Sequence, residues 1–180
     1  MFQAMTSPKR LFALLMFTAG ALWLPAADAT PAPVSPYGPI EWLAGGRWKA
    51  ALPPMKDGTT VEIELVATIP ANQHGVHLES TWVIGGKRRP YVSGMYAWDG
   101  AKKKFAIFYT DAGGSLSAGD VAFEDGVLVH EMNVSEPSGT VSPVRVRLTK
   151  TGPDAFTNDI YLQKDGAWVQ FVSAKYVRQP

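Results

Sequence analysis

Beyond residue 40 the chain alternates between hydrophobic and polar residues. Val144, Val146 and Leu148 are interleaved with Arg145, Arg147 and Thr149, and Val61, Ile63 and Leu65 with Glu62 and Glu64. A period of two sends successive side chains to opposite faces of an extended strand, so each such segment reads as a strand with one buried and one wet face. Between the segments fall signals for tight turns: Asp57-Gly58, Asn72 to Gly75, Gly85-Gly86, Asp99-Gly100, Gly113-Gly114, Asp125-Gly126, Ser138-Gly139, Gly152-Pro153 and Asp165-Gly166. Their spacing is mostly 12 to 14 residues, which leaves about nine for each strand, and nine turns join ten strands. No stretch of this region has a long amphipathic helical pattern, and only Pro39 to Ala44 suits a short turn of helix. An open sheet of ten antiparallel strands would carry two bare edges, and closing the sheet removes both. The expected fold is all-β, an up-and-down antiparallel barrel of about ten strands over residues 40–180, with a two-sheet sandwich as the alternative.

The first 29 residues follow a different pattern. Lys9 and Arg10 precede the apolar run Leu11 to Leu24, then Pro25 and the small-residue site Ala27-Asp28-Ala29. This order predicts a secretory signal peptide over residues 1–29, cleaved before Thr30. The apolar run is short for a bilayer span. Cleavage would leave no stable membrane insertion, whereas an uncleaved signal would act as an anchor. Pro31, Pro33, Pro36 and Pro39 make residues 30–39 an extended leader. The full chain, with 46% hydrophobic and 18% charged residues, suits one globular domain beyond these segments. Loss of the signal removes two of the 17 basic and one of the 16 acidic residues, so the mature chain is formally neutral and global charge gives no support to nucleic-acid binding. The absence of cysteine excludes disulfides, thiol catalysis and thiolate metal sites. An exported chain without disulfides is expected in the periplasm or secreted.

The segment Trp42-Leu43-Ala44-Gly45-Gly46-Arg47-Trp48 places a Gly-x-Trp at the start of the first strand, and Tyr176-Val177-Arg178 closes the last. This pairing resembles the lipocalin-like (calycin) barrels. The resemblance implies that Trp48 plugs one closed end and that Arg178 packs across it. The runs Ser93 to Asp99, Phe105 to Asp111 with Gly113-Gly114, and Asp165-Gly166-Ala167-Trp168 leading to Tyr176 and Arg178 are similar to an uncharacterised group of bacterial lipocalin-like domains of unknown function. The resemblance covers about Ile40 to Arg178 and implies a fold and a cavity, with no agreed activity. More distantly, the nitrobindin-like barrels bind haem through a histidine near the chain's end. Residues 166 to 178 contain none, so the haem reading is disfavoured and no cofactor is expected.

Candidate chemistry is sparse. His77 and Glu79 are two apart on one strand and share a face, a spacing compatible with a metal or an acid-base pair. Val76, Leu78, Trp82 and Ile84 occupy the opposite, inward face, so the pair is expected in solvent. His74 falls in a turn, and His130 has no partner visible in sequence. Lys87-Arg88-Arg89 and Lys102-Lys103-Lys104 lie at opposite ends of one strand, roughly 30 Å apart at about 3.3 Å per residue, so they do not form one patch. They read as solvated hairpin tips. No nucleophile elbow, phosphate loop, dinucleotide fingerprint or metal-ligand cluster is present.

The aromatic residues are more informative, because Tyr91, Tyr96, Trp98, Phe105, Phe108 and Tyr109 crowd two adjacent strands and place rings on both faces. Asn158 alternates with Phe156, Ile160 and Leu162, and Gln170 shares a face with Trp168, Val172 and Tyr176. If those faces point inward, both amides are buried and need partners. The leading expectation is a barrel that binds a small, largely apolar ligand through Trp82, Tyr96, Tyr109, Asn158, Trp168 and Gln170, without catalytic or metal-binding residues. The alternatives are a filled-barrel interaction protein of the cell envelope, and a cavity hydrolase or isomerase using His77 and Glu79. Oligomeric state is not readable.

Overall fold

A computed structural model describes residues 37–70 and 75–180. The expected signal peptide, the leader as far as Pro36 and the turn residues 71–74, His74 among them, lie outside the described residues. A short 3-10 turn, Gly38–Ile40, leads into ten strands: β1 (Gly46–Leu52), β2 (Val61–Thr68), β3 (Val76–Ile84), β4 (Lys87–Asp99), β5 (Lys104–Asp111), β6 (Leu116–Glu124), β7 (Val127–Ser135), β8 (Val141–Gly152), β9 (Ala155–Lys164) and β10 (Ala167–Gln179). Each strand pairs antiparallel with the next, and β1 closes on β10, so the sheet is a barrel and not a sandwich. The tightest hairpins follow from their turn residues. Gly85-Gly86, Asp125-Gly126 and Asp165-Gly166 have both residues at positive φ, the geometry whose twist matches that of the strands it joins.

Residues directly opposite one another in a ladder point to the same side, so the register separates inside from outside. One ring of inward positions runs from Trp48 through Leu65, Ser80 and Val92. The inner wall is mostly apolar, whereas the outer wall carries ion pairs between neighbouring strands, including Lys49 to Glu62 at 2.8 Å, Arg88 to Glu64 at 2.6 Å and Arg145 to Glu131. A barrel that crosses lipid has the opposite polarity. The outer wall of this one carries these charges together with exposed apolar side chains such as Phe108 and Phe171.

Two glycines set how tightly the wall closes. A Cβ on Gly94 would lie 2.2 Å from the Phe108 carbonyl oxygen, and one on Gly119 would lie 2.0 Å from that of Glu131. Backbone cannot move aside as a flexible side chain can, so these positions accept only glycine. Gly119→Ala is expected to cost about 2 to 3 kcal/mol, measured by urea denaturation. A midpoint unchanged from that of the parent would show that β6 and β7 can part without loss.

The core fills one end. Trp48, Phe156 and Ile40 are no more than 1% exposed, and Leu43, Tyr37 and Tyr176 pack around them. The Trp48 indole donates to the Leu43 carbonyl at 2.9 Å and meets Trp42 and Phe156 edge to face, while Phe156 stacks on Tyr176. Arg178 lies 4.2 Å from the Trp48 ring centre, donates to the Trp42 carbonyl at 2.7 Å and pairs with Asp154. The cation over the ring contributes about 0.5 to 2 kcal/mol. The expected plug, with Arg178 across Trp48, is therefore in place.

Candidate functional site

The opposite end of the barrel is open. Ile63, Leu65, Trp82, Val92, Ile160 and Val172 all point inward, yet they are only half-buried, unlike their counterparts at the plug. The inner wall is thus less tightly covered at this end, and the polar groups on it define the candidate site.

Four of the six expected lining residues face this interior. Trp82 sits opposite Ile63 on the inner face of β3, and its ring meets that of Tyr91 edge to face with centres 5.1 Å apart. Tyr91 owes that position to a bulge: Val92 pairs with Ser80 and Pro90 with Thr81, leaving Tyr91 as the extra residue. Tyr109 lies opposite Ser117, and the two hydroxyls hydrogen-bond. Asn158 lies between Leu148 and Ala174 and hydrogen-bonds the Tyr176 hydroxyl, whose titration burial pushes up to about 12. Tyr96 is deepest, 1% exposed, and burial raises its phenol far above the ordinary range.

Two buried polar atoms in this interior have no hydrogen-bond partner: the Trp82 indole nitrogen and the Asn158 amide oxygen. A buried polar group without a partner costs about 1 to 3 kcal/mol. An indole N–H is only a donor and an amide oxygen only an acceptor, so each asks for a specific complement.

The other two expected residues face outward, which corrects the expected placement. A second bulge makes Phe171 the extra residue on β10, since Val172 pairs with Ile160 and Gln170 with Tyr161. Beyond that point the alternation inverts. Gln170 reaches Asp159 on the outer wall at 3.4 Å, and Trp168 lies under the Arg145 guanidinium at 4.7 Å. Phe171 itself is 71% exposed. His77 and Glu79 stand exposed on the outer face of β3, as their alternation predicts, so the cavity enzyme would lack its acid-base pair inside.

The histidine of the interior is His130. It is buried, its Nε2 lies 2.9 Å from the Tyr96 hydroxyl, and burial lowers its titration from 6.5 to about 3. The alternation of Leu128, His130, Met132 and Val134 already points it inward, but its partner lies 34 residues away and no local signal marks it. The tautomer decides which of the two groups donates. Arg88 is spent on Glu64, while Lys102 and Lys104 flank Asp120 at the other end of β4, so the two basic clusters stay separate.

The outer wall also carries a trough of about 580 Å³ over β1, β2 and β3, lined by Arg47, Lys49, Glu64, Glu79 and Arg88. Of these, Lys49, Glu64 and Arg88 are already ion-paired, and no unpartnered buried polar atom faces it. The barrel interior is the better candidate. Among the described residues, no three histidine, aspartate or glutamate side chains gather as they would around a metal.

No family model and no curated protein matches the chain. Among solved structures the chain is similar to one described as "Structure of EF1p2_mFAP2b bound to DFHBI", at 11% identity and a TM-score of 0.32, covering 77% of this chain and 92% of that one. A likeness this weak carries no argument about a ligand. The strand pairing itself establishes the barrel.

Proposed function

We propose that this is an exported, lipocalin-like binding protein that takes a small, largely apolar ligand into the open half of its barrel. The observation that carries the reading is the pair of unpartnered polar atoms, Trp82 Nε1 and Asn158 Oδ1, on an inner wall whose open half is only half-buried. A filled barrel would bury Ile63, Val92 and Val172 as fully as the plug buries Trp48. The basic, apolar and small-residue order of residues 1–29 supports export, to the periplasm or beyond.

The test is native mass spectrometry on protein exported by its own signal, together with titration of the neutral dye Nile red. A retained small-molecule mass and saturable dye fluorescence are expected. Val172→Trp, which projects a large ring into the open half, should weaken dye binding at least ~10-fold while leaving the unfolding midpoint near that of the parent. A bare chain mass together with no dye uptake would remove the reading.

A further inference from the structure

We infer that the ligand is an amphipathic anion, whose apolar body enters the open half while an acceptor-only head, of the carboxylate kind, is held at the mouth by Lys87, Arg89 and the Trp82 indole N–H. This rests on the binding reading above and adds the ligand's charge and its direction of entry.

The bulge in β4 aims the cations. Val92 points inward opposite Ser80, so an unbroken alternation back from it would turn Arg88 to the interior and leave Lys87 and Arg89 outside. With Tyr91 as the extra residue the phase inverts. Arg89 then lies opposite Trp82 and Lys87 opposite Ile84, both on the inward side of the rim, while Arg88 lies opposite Val83 and pairs with Glu64 on the outer wall. Pairing of β4 with β5 begins at Val92, so the stretch from Lys87 to Tyr91 runs past the end of β5 at the mouth. Lys87 and Arg89 are exposed, and among the described residues neither has an ion-pair partner. An anion arriving there gains two cations without displacing a carboxylate from either.

The groups that meet on this hairpin are also of one hydrogen-bonding kind. An indole N–H, a guanidinium and an ammonium all donate and none accepts, and the Trp82 nitrogen is buried without a partner. An ionised carboxylate only accepts, through two oxygens, and its bonds to charged donors are roughly twice as strong as those between neutral groups. A hydroxyl or amide head offers no charge and brings donors that find no acceptor here. The acidic residue on the inward side of β5 is Asp111, opposite Val92. Its Oδ1 accepts the backbone N–H groups of Gly113 at 2.8 Å and Ser115 at 3.0 Å, so it is turned to its own hairpin. Asn158 lies on β9, four strands from β3 around the barrel, and takes no part in holding the head.

The experiment is displacement of Nile red at pH 8 and low salt, below micelle-forming concentrations, by dodecanoate, dodecanol and dodecyltrimethylammonium. Hydrophobicity alone ranks the neutral alcohol above the carboxylate. The expected order is the reverse, with dodecanoate competing at least ~10-fold better than dodecanol and the ammonium weakest. In the double variant Lys87→Gln with Arg89→Gln the ratio of dodecanoate to dodecanol potency should fall at least ~5-fold, and added sodium chloride should narrow it in the unaltered protein. The ratio is taken within each protein, so any change in the dye's own affinity cancels, and both substituted side chains are exposed and unpaired. Dodecanol matching or exceeding dodecanoate in the unaltered protein would overturn the inference while leaving the cavity intact, as would a ratio that the double variant does not move. Absence of dye binding would instead overturn the cavity reading on which the inference rests.

Discussion

Trp48→Ala is expected to destabilise the fold by about 3 to 5 kcal/mol, the range for removing a large aromatic from a packed core. The ring is 1% exposed, so almost all of its surface is lost from the interior. Three further losses follow from its partners. The Leu43 carbonyl loses the indole N–H, Phe156 loses an edge-to-face neighbour, and Arg178 loses the ring beneath its guanidinium. Trp48→Phe should retain most of the packing and lose only the donor, so about a third to a half of the alanine effect is expected. Urea denaturation of the three proteins measures both differences. A loss below about 1 kcal/mol for alanine would mean that the plug is not what stabilises the closed end.

Acidification should destabilise the protein through His130 well before its carboxylates titrate. The unfolded chain has an ordinary histidine near 6.5, whereas burial holds the folded one near 3. Between those values the unfolded state binds a proton that the folded state does not, so stability falls as pH falls. The stabilisation is fully present above about 6.5 and is lost toward 3, with a limiting slope of about 1.4 kcal/mol per pH unit. Glu64, held low by Arg88, and Asp57, held low by the Thr59 N–H, lose their contributions only below the usual carboxylate range. From pH 6.5 to 4.5 the parent should therefore lose about 2 to 3 kcal/mol, and His130→Gln less than half of that. Glutamine offers Tyr96 a hydrogen-bond partner without the titration. Equal acid sensitivity in the two proteins would show that His130 is not the sensor.

Much of the fold is legible in sequence because its determinants are local. Pairs such as Asp125-Gly126 and Asp165-Gly166 adopt the left-handed geometry their composition suggests, and the segments between them show period two. That is enough to place Val76, Leu78, Trp82 and Ile84 on the inner face of β3, and His77 with Glu79 on the outer. The candidate site was less legible where local rules break. A single extra residue at Phe171 inverts every position beyond it toward the start of β10, which is why Trp168 and Gln170 appear outside. Nothing in the run Trp168 to Tyr176 announces that insertion, because a bulge depends on what the partner strand β9 can pair with. The Tyr96 to His130 contact is hidden for the same reason: it forms only when β4 and β7 curve around a common interior.

Nine of the ten seams in this barrel join strands adjacent along the chain, and one does not. The seam between β1 and β10 must bring together residues 46–52 and 167–179. Each doubling of a loop costs about 0.6 kcal/mol of closure entropy, so this seam starts roughly 3 kcal/mol behind a hairpin. Trp48 and Arg178 are direct partners across it. The clasp that plugs the barrel is thus also the lock on its only long-range join. Until it engages, a nine-seam ribbon has two unpaired edges to offer to another copy of itself.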